Sequence, residues 1–191
     1  MKKTLLIVGC GDIALRVVSF LQKHYRILGL YRNLNSSKHL RSHGIIPIYG
    51  NLDYPKSLEK LAGIAHLVVH LAPPPNQGLH DRRTTHLLSA LTKRTKEHAV
   101  ILPQRLIYIS TSGVYGNCNG ALIDETYLIH PENDRAIRRV DAEKQIRNWG
   151  KRNHVSVSIL RVPGIYAASR LPLTRLREGH PTLLDDEDSY T

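Results

Sequence analysis

The 191-residue chain is 41% hydrophobic and 23% charged, which excludes a disordered polymer and is long enough for one well-cored domain. Its net charge of +11 stands out, and admits nucleic acid, a phosphorylated ligand or the composition of an incomplete chain. Two cysteines make no disulfide framework, no apolar run reaches membrane-spanning length, and Met1-Lys2-Lys3 runs directly into apolar sequence, so a reducing, cytoplasmic setting is expected.

The first predicted element is a strand over 5–8, an unbroken apolar run of the kind buried in a parallel sheet. It enters the turn Gly9-Cys10-Gly11, and a helical pattern over 13–23 follows at once (Ile13, Val17, Phe20, Leu21). Gly9, Gly11 and Ala14 have the spacing of the dinucleotide-binding fingerprint. In that motif the first glycine makes the tight turn, the second admits a pyrophosphate to the backbone, and a small third residue lets helix and strand pack closely. A pyrophosphate would sit at the helix N-terminus beside Gly11, Asp12, Ile13 and Ala14. Cys10 is expected to be the variable turn residue, shielded by cofactor, although a thiol at a helix N-terminus can have a lowered pKa.

Further strands are predicted over 26–30, 45–49, 66–71, 105–109 and 155–160, separated by helical or mixed segments near 35–43, 55–62, 78–96 and 132–150. This alternation predicts an α/β fold, a doubly wound parallel sheet with helices on both faces and ligand at the carboxyl ends of the strands. Residues 1–168 would form the dinucleotide-binding domain, and 169–191 the start of an incomplete carboxyl-terminal substrate-binding region. The second strand ends at Arg32, 21 residues after Gly11. An acidic residue there would bind the ribose hydroxyls of NAD, whereas arginine suits the 2′-phosphate of NADP, so NADP is expected and NAD is the alternative. Asn51 and Leu52, after the third strand, would lie beside the adenine. Leu71, Ala72 and Pro73 open the rigid loop Pro73-Pro74-Pro75, which faces the cofactor on this topology.

The fifth strand runs into Tyr108-Ile109-Ser110-Thr111-Ser112-Gly113-Val114-Tyr115-Gly116, which resembles the signature of the extended short-chain dehydrogenase/reductases, also called the NAD-dependent epimerase/dehydratase family. His70-Leu71-Ala72, Asp124-Glu125-Thr126 with Pro131, and Leu160-Arg161-Val162-Pro163-Gly164-Ile165-Tyr166 resemble later family segments in the right order. The resemblance implies an oxidoreductase, epimerase or dehydratase in which Thr111 holds the substrate's reacting oxygen. It also implies a Tyr-x-x-x-Lys pair on the helix over 136–149, in which the lysine holds the cofactor ribose; Lys144 fits that lysine, and Pro163 would also line the cofactor site. The tyrosine position is then Val140, which cannot transfer a proton. Tyr115, Tyr127, Tyr166 and Asp141 are possible substitutes, and a non-catalytic NADP(H)-binding sensor or scaffold is the alternative function. Gly9-x-Gly11-x-x-Ala14 also departs from the family's usual Gly-x-x-Gly-x-x-Gly, so the chain resembles an atypical branch.

Partners implied by the resemblance are a small-molecule substrate such as a nucleotide-sugar, and a second copy meeting at the helices near 78–96 and 132–150. The chain reads as truncated, because family members continue past the sixth strand, and uncovered apolar surface would favour self-association. His66 and His70 are four apart on a strand, a spacing that suits two ligands only on a helix, so no metal is expected. The basic runs (Arg82-Arg83, Lys93-Arg94-Thr95-Lys96, Arg135, Arg138-Arg139, Arg147, Lys151-Arg152) are expected on solvated helix faces. Without interleaved aromatics they argue against nucleic acid.

Overall fold

The computed structural model describes residues 2–93, 101–167, 173 and 177–179. The basic run 94–96 and most of the expected carboxyl-terminal region over 169–191 lie outside them. Six strands pair in parallel in the order β3-β2-β1-β4-β5-β6. They are β1 (Lys3–Val8), β2 (Tyr25–Tyr31), β3 (Ile46–Tyr49), β4 (Leu67–His70), β5 (Arg105–Thr111) and β6 (Ser156–Val162). The helices are α1 (Asp12–Leu21), α2 (Ser37–Ser42), α3 (Arg82–Leu91) and α4 (Asp134–Asn153). Shorter 3-10 turns cover Leu34–Ser36, Pro55–Leu61 and Ser112–Tyr115. Among the described residues no helix is long and apolar enough to cross a membrane.

The burial pattern explains why the first strand is the centre of the fold. Leu5, Leu6, Ile7 and Val8 are all buried, because β1 lies between β2 and β4 and is covered on both faces. Leu6 and Val8 join Leu28, Leu30, Val68, Leu106 and Tyr108 in a core closed by α3, α4 and the Pro55–Leu61 turn. Leu5, Ile7 and Ile27 join Ala14, Val18, Leu40 and Ile45 in a second core closed by α1 and α2. Each such apolar side chain contributes about 1.5–3 kcal/mol on burial.

The basic helix faces are not all solvated. Arg138 and Arg139 of α4 are buried, and Arg83 of α3 is turned inward. Carbonyl oxygens draw them in: Arg138 donates to Gly78 O at 2.6 Å, and Arg139 to Ile109 O at 2.8 Å. A buried cation is tolerated where its donors find such partners. Glu143, also on the inner face of α4, accepts from Arg161 of β6, with Nη2 2.9 Å from Oε2. Arg161 also donates to the Tyr115 hydroxyl at 2.8 Å and to Glu125 O at 3.1 Å, which ties β6, α4 and the loop after β5 together.

A second buried polar group links β4 to α3. Asp81 caps α3, accepting from Thr84 N at 3.1 Å and from the Thr84 hydroxyl at 2.8 Å. The Thr84 oxygen in turn accepts from His70 Nε2 at 3.0 Å, which assigns the proton of the neutral imidazole to that nitrogen. Burial, with the Arg139 charge nearby, pushes the His70 pKa down to about 3. Burial also pushes the Tyr108 hydroxyl up to about 12.

Removing Arg161 leaves the buried Glu143 carboxylate facing the exposed Arg147 at 3.8 Å. Arg161→Met is therefore expected to destabilise the chain by about 3–5 kcal/mol in denaturant unfolding, and adding Glu143→Leu should recover most of that loss. His70 gives a pH signature of known sign. Its folded pKa lies below the ordinary value of 6.5, so the unfolded chain takes a proton that the folded chain refuses as the pH falls from 6.5 towards 3. Across that window the wild type should lose up to about 1.4 kcal/mol per pH unit more than His70→Gln. Parallel stability curves for the two proteins would contradict it.

Candidate functional site

The strand order reverses direction between β1 and β4, and a cleft of about 510 Å³ opens there at the carboxyl ends of the strands. It is built from the turn after β1 and the ends of β2, β3 and β4. Gly9 makes the turn with φ +97°, a backbone conformation that a side chain strains, and it packs against the chain after β4. A Cβ on Gly9 would lie 2.6 Å from the Ala72 nitrogen. Gly11 is different: its backbone is extended, and a Cβ there would meet nothing within 4 Å. Gly11 is the N-cap of α1, and with Asp12, Ile13 and Ala14 it forms one wall of the cleft. Ala14 is fully buried between helix and sheet, where a small residue is required.

Most of the residues expected to hold a cofactor come together here. Gly9, Gly11, Asp12, Ile13, Ala14, Arg32, Asn51, Leu52, Leu71, Ala72 and Pro73 all line the cleft. Asp12 pairs with Arg16 one turn along α1, at 2.9 Å. Cys10 also lines the cleft, but its thiol donates to Ile7 O at 3.7 Å and packs against the second core, and burial pushes its pKa up to about 12. Arg83 and Ile165 line the cleft as well, and neither was read from the sequence. Arg83 grips Asp53 through two hydrogen bonds, Nε to Oδ1 at 2.7 Å and Nη2 to Oδ2 at 2.8 Å. That pairing holds the Asp53 carboxyl below the ordinary carboxylate range.

Thr111 ends β5 just beyond this cleft. Its Oγ1 accepts from Gly113 N at 3.2 Å, which starts the following 3-10 turn and leaves the hydroxyl proton for another acceptor. Lys144 is exposed on α4, and neither it nor Pro163, which is also exposed, is among the residues that line the cleft. The α4 cation directed at the carboxyl half of β5 is Arg139, which donates to the Tyr108 hydroxyl at 3.0 Å and to Ile109 O. Arg139 Nε and Ser110 Oγ are buried with no hydrogen-bond partner among the described residues.

The groups considered as substitutes for a tyrosine divide clearly. Val140 packs against Val114, Tyr115 and Cys118. Asp141 accepts from Asp81 N at 2.8 Å and Gln145 Nε2 at 2.6 Å, a fastening between α3 and α4. Tyr115 is buried with its hydroxyl on Arg161, while Tyr127 stands edge-on to it and remains partly exposed. Tyr166 is exposed. His66 and His70 serve separate ends of β4, with His66 Nδ1 accepting from Thr4 N at 3.1 Å.

The turn geometry yields a direct test. Gly9→Ala is expected to displace the Ala72 backbone and strain φ, weakening nucleotide binding by more than about tenfold in a titration. Gly11→Ala, with open space for its Cβ in the free protein, should fold with wild-type stability.

The comparisons with known proteins agree with this geometry. A family model described as the NAD dependent epimerase/dehydratase family matches residues 10–179. Comparison with curated proteins finds no match. Among solved structures, a UDP-glucuronic acid 4-epimerase from Bacillus cereus, determined in complex with NAD, superposes with TM-score 0.72 at 23% identity, covering 93% of this chain and 63% of that one. A functionally unknown conserved protein from Silicibacter pomeroyi DSS gives TM-score 0.70 at 25% identity, with 94% and 59% covered. The terminal R domain from the myxalamid PKS-NRPS biosynthetic pathway gives TM-score 0.68 at 20% identity, with 85% and 49% covered. This chain therefore spans at most about two thirds of the length of these structures. With the family model covering nearly all of the sequence, and the parallel sheet and glycine turn in place, the chain belongs to the NAD dependent epimerase/dehydratase family.

Proposed function

We propose that this chain binds a nicotinamide dinucleotide in the cleft at the β1–β4 switch point and works as an oxidoreductase or nucleotide-sugar epimerase/dehydratase. The observation that carries the reading is the convergence of Gly9, Gly11, Ala14, Arg32, Asn51, Leu52 and Ala72 on one cleft. The residues fit the group. The cleft is mostly apolar with a few fixed polar groups, its floor is a glycine turn, and the N-terminal turn of α1 offers an anion site. Arg32 at the end of β2 favours NADP(H), with NAD(H) as the alternative. A bound nicotinamide supplies a hydride donor or acceptor.

This chain's own residues would orient the reactants and place charge. Thr111, whose hydroxyl proton finds no acceptor among the described residues, would donate a hydrogen bond to the reacting oxygen of a carbonyl or alcohol substrate. The assignment of Lys144 to the ribose rests on the family resemblance, and it requires the exposed side chain to reach past the inner face of α4. Arg139 is the cation already near β5, and it can bind and orient a hydroxyl or carbonyl. A guanidinium does not release its proton near neutral pH, so Arg139 is no replacement for a catalytic tyrosine. Val140 against its apolar neighbours therefore favours a second reading, a non-catalytic NADP(H)-binding sensor or scaffold.

Thermal unfolding with increasing NADPH or NADH separates these readings from the absence of any nucleotide site. A ligand at 100 times its dissociation constant stabilises the folded state by about 2.7 kcal/mol, so a rising Tm with either nucleotide is expected. NADPH consumption with a carbonyl substrate, reduced on the order of 10²-fold or more by Thr111→Ala, would establish the enzyme. A Tm shift without turnover across a broad substrate screen would favour the sensor, and no shift with either nucleotide would refute both.

A further inference from the structure

The sequence offered one cation for the adenosine end of the cleft, and the fold brings a second to it. Arg83, the second residue of α3, lines the cleft with a side chain only 17% exposed. It is fixed on two sides. Its Nε and Nη2 hold both oxygens of Asp53, and its Nη1 donates to the carbonyls of Pro73 and Pro74 at 3.2 and 3.3 Å. Arg32, from the end of β2, approaches the same carboxylate, Nη1 to Oδ2, at 3.9 Å and is 67% exposed. Two guanidinium groups, one from the end of β2 and one from α3, thus converge on one carboxylate, and both line the cleft.

The two arginines differ in what they can do. Arg32 is long, exposed and loosely paired, so it can turn towards an incoming anion, but solvent and salt weaken it as a lone reader. Arg83 is held in one position by an ion pair of two parallel hydrogen bonds, the geometry with the greatest directional specificity. Its guanidinium is already ordered by Asp53 and the two proline carbonyls, so a ligand meeting it pays little to order it. A phosphate monoester carries close to two negative charges at neutral pH and several acceptor oxygens, enough to engage Arg32 together with the one Nη2 proton of Arg83 that Asp53, Pro73 and Pro74 leave over.

We propose that Arg32 and Arg83 together form a two-cation site for a phosphate on the adenosine ribose, with Asp53 as the internal counter-ion that holds Arg83 in position. The proposal rests on the nucleotide reading of the cleft and sharpens its specificity: preference for a 2′-phosphorylated nucleotide comes from the pair and not from Arg32 alone. Asp53 compensates the two cations in the free protein, Asp81 at the N-cap of α3 also acts on Arg83, and the exposed Arg32 is the charge left to draw a phosphate in.

The test compares adenosine 2′,5′-bisphosphate with adenosine 5′-monophosphate by calorimetry, two probes that differ only in the 2′-phosphate. The wild type is expected to prefer the bisphosphate by about a hundredfold, falling as salt is raised. Arg83→Gln should reduce bisphosphate affinity about tenfold and leave monophosphate affinity within about twofold, while Arg83→Lys keeps an intermediate preference. Equal weakening of both probes by Arg83→Gln would show that Arg83 only braces the loops, and would overturn the proposal. Should Arg83→Gln fail to fold, Arg32→Ala decides: a residual several-fold preference for the bisphosphate supports the second cation, and parity removes it. A wild type that binds both probes equally would refute the two-cation site and leave the nucleotide cleft standing. Binding of neither probe, nor of NADH or NADPH, would instead refute the nucleotide reading itself.

Discussion

The contact on which the rest of the site depends is the close approach of Gly9 to Ala72. Two parallel strands that leave the sheet in opposite directions must part at their carboxyl ends, and here they do so with no side chain between them. The missing Cβ lets the turn after β1 press against the chain after β4, and this sets both where α1 begins and where the triple-proline loop runs. The cleft between these two features is therefore a product of backbone geometry. Side chains from β2, β3 and α3 are then added around an opening that already exists.

The core supports that geometry from both sides. Because β1 is buried on both faces, its alternate residues belong to different cores, and a shift by one residue would exchange them. The buried polar groups add direction to an otherwise apolar packing. Asp81, Thr84 and His70 fasten α3 to β4, Asp141 and Gln145 fasten α4 to α3, and Glu143 with Arg161 fastens α4 to β6. Such groups stabilise only when paired, so they also penalise any alternative packing that would separate them.

The sheet and the nucleotide cleft were legible in the sequence because their determinants are local. An apolar run, two glycines and a helical pattern lie within about twenty residues, and the physics of a strand–turn–helix unit acts over that same range. The register of α4 was not legible in this way. Its inner face carries Arg138, Arg139 and Glu143, so the usual contrast between apolar inside and charged outside is blurred, and Lys144 was placed only by the family's Tyr-x-x-x-Lys pattern. Arg83 was missed for a different reason. It appeared as one of a pair of basic residues on an outer helix face, and the groups that turn it inward, Asp53 and the carbonyls of Pro73 and Pro74, lie 30, 10 and 9 residues away. No short window contains that information.

The run Pro73-Pro74-Pro75 has a chemical consequence for the cleft. Proline has no amide proton, so Pro73 lines the cleft without a backbone donor, and its carbonyl and that of Pro74 already accept from Arg83. The first turn of α1 lines the same cleft with backbone amides. Arg83, seated against the prolines, therefore supplies from a side chain the donors that their backbone lacks.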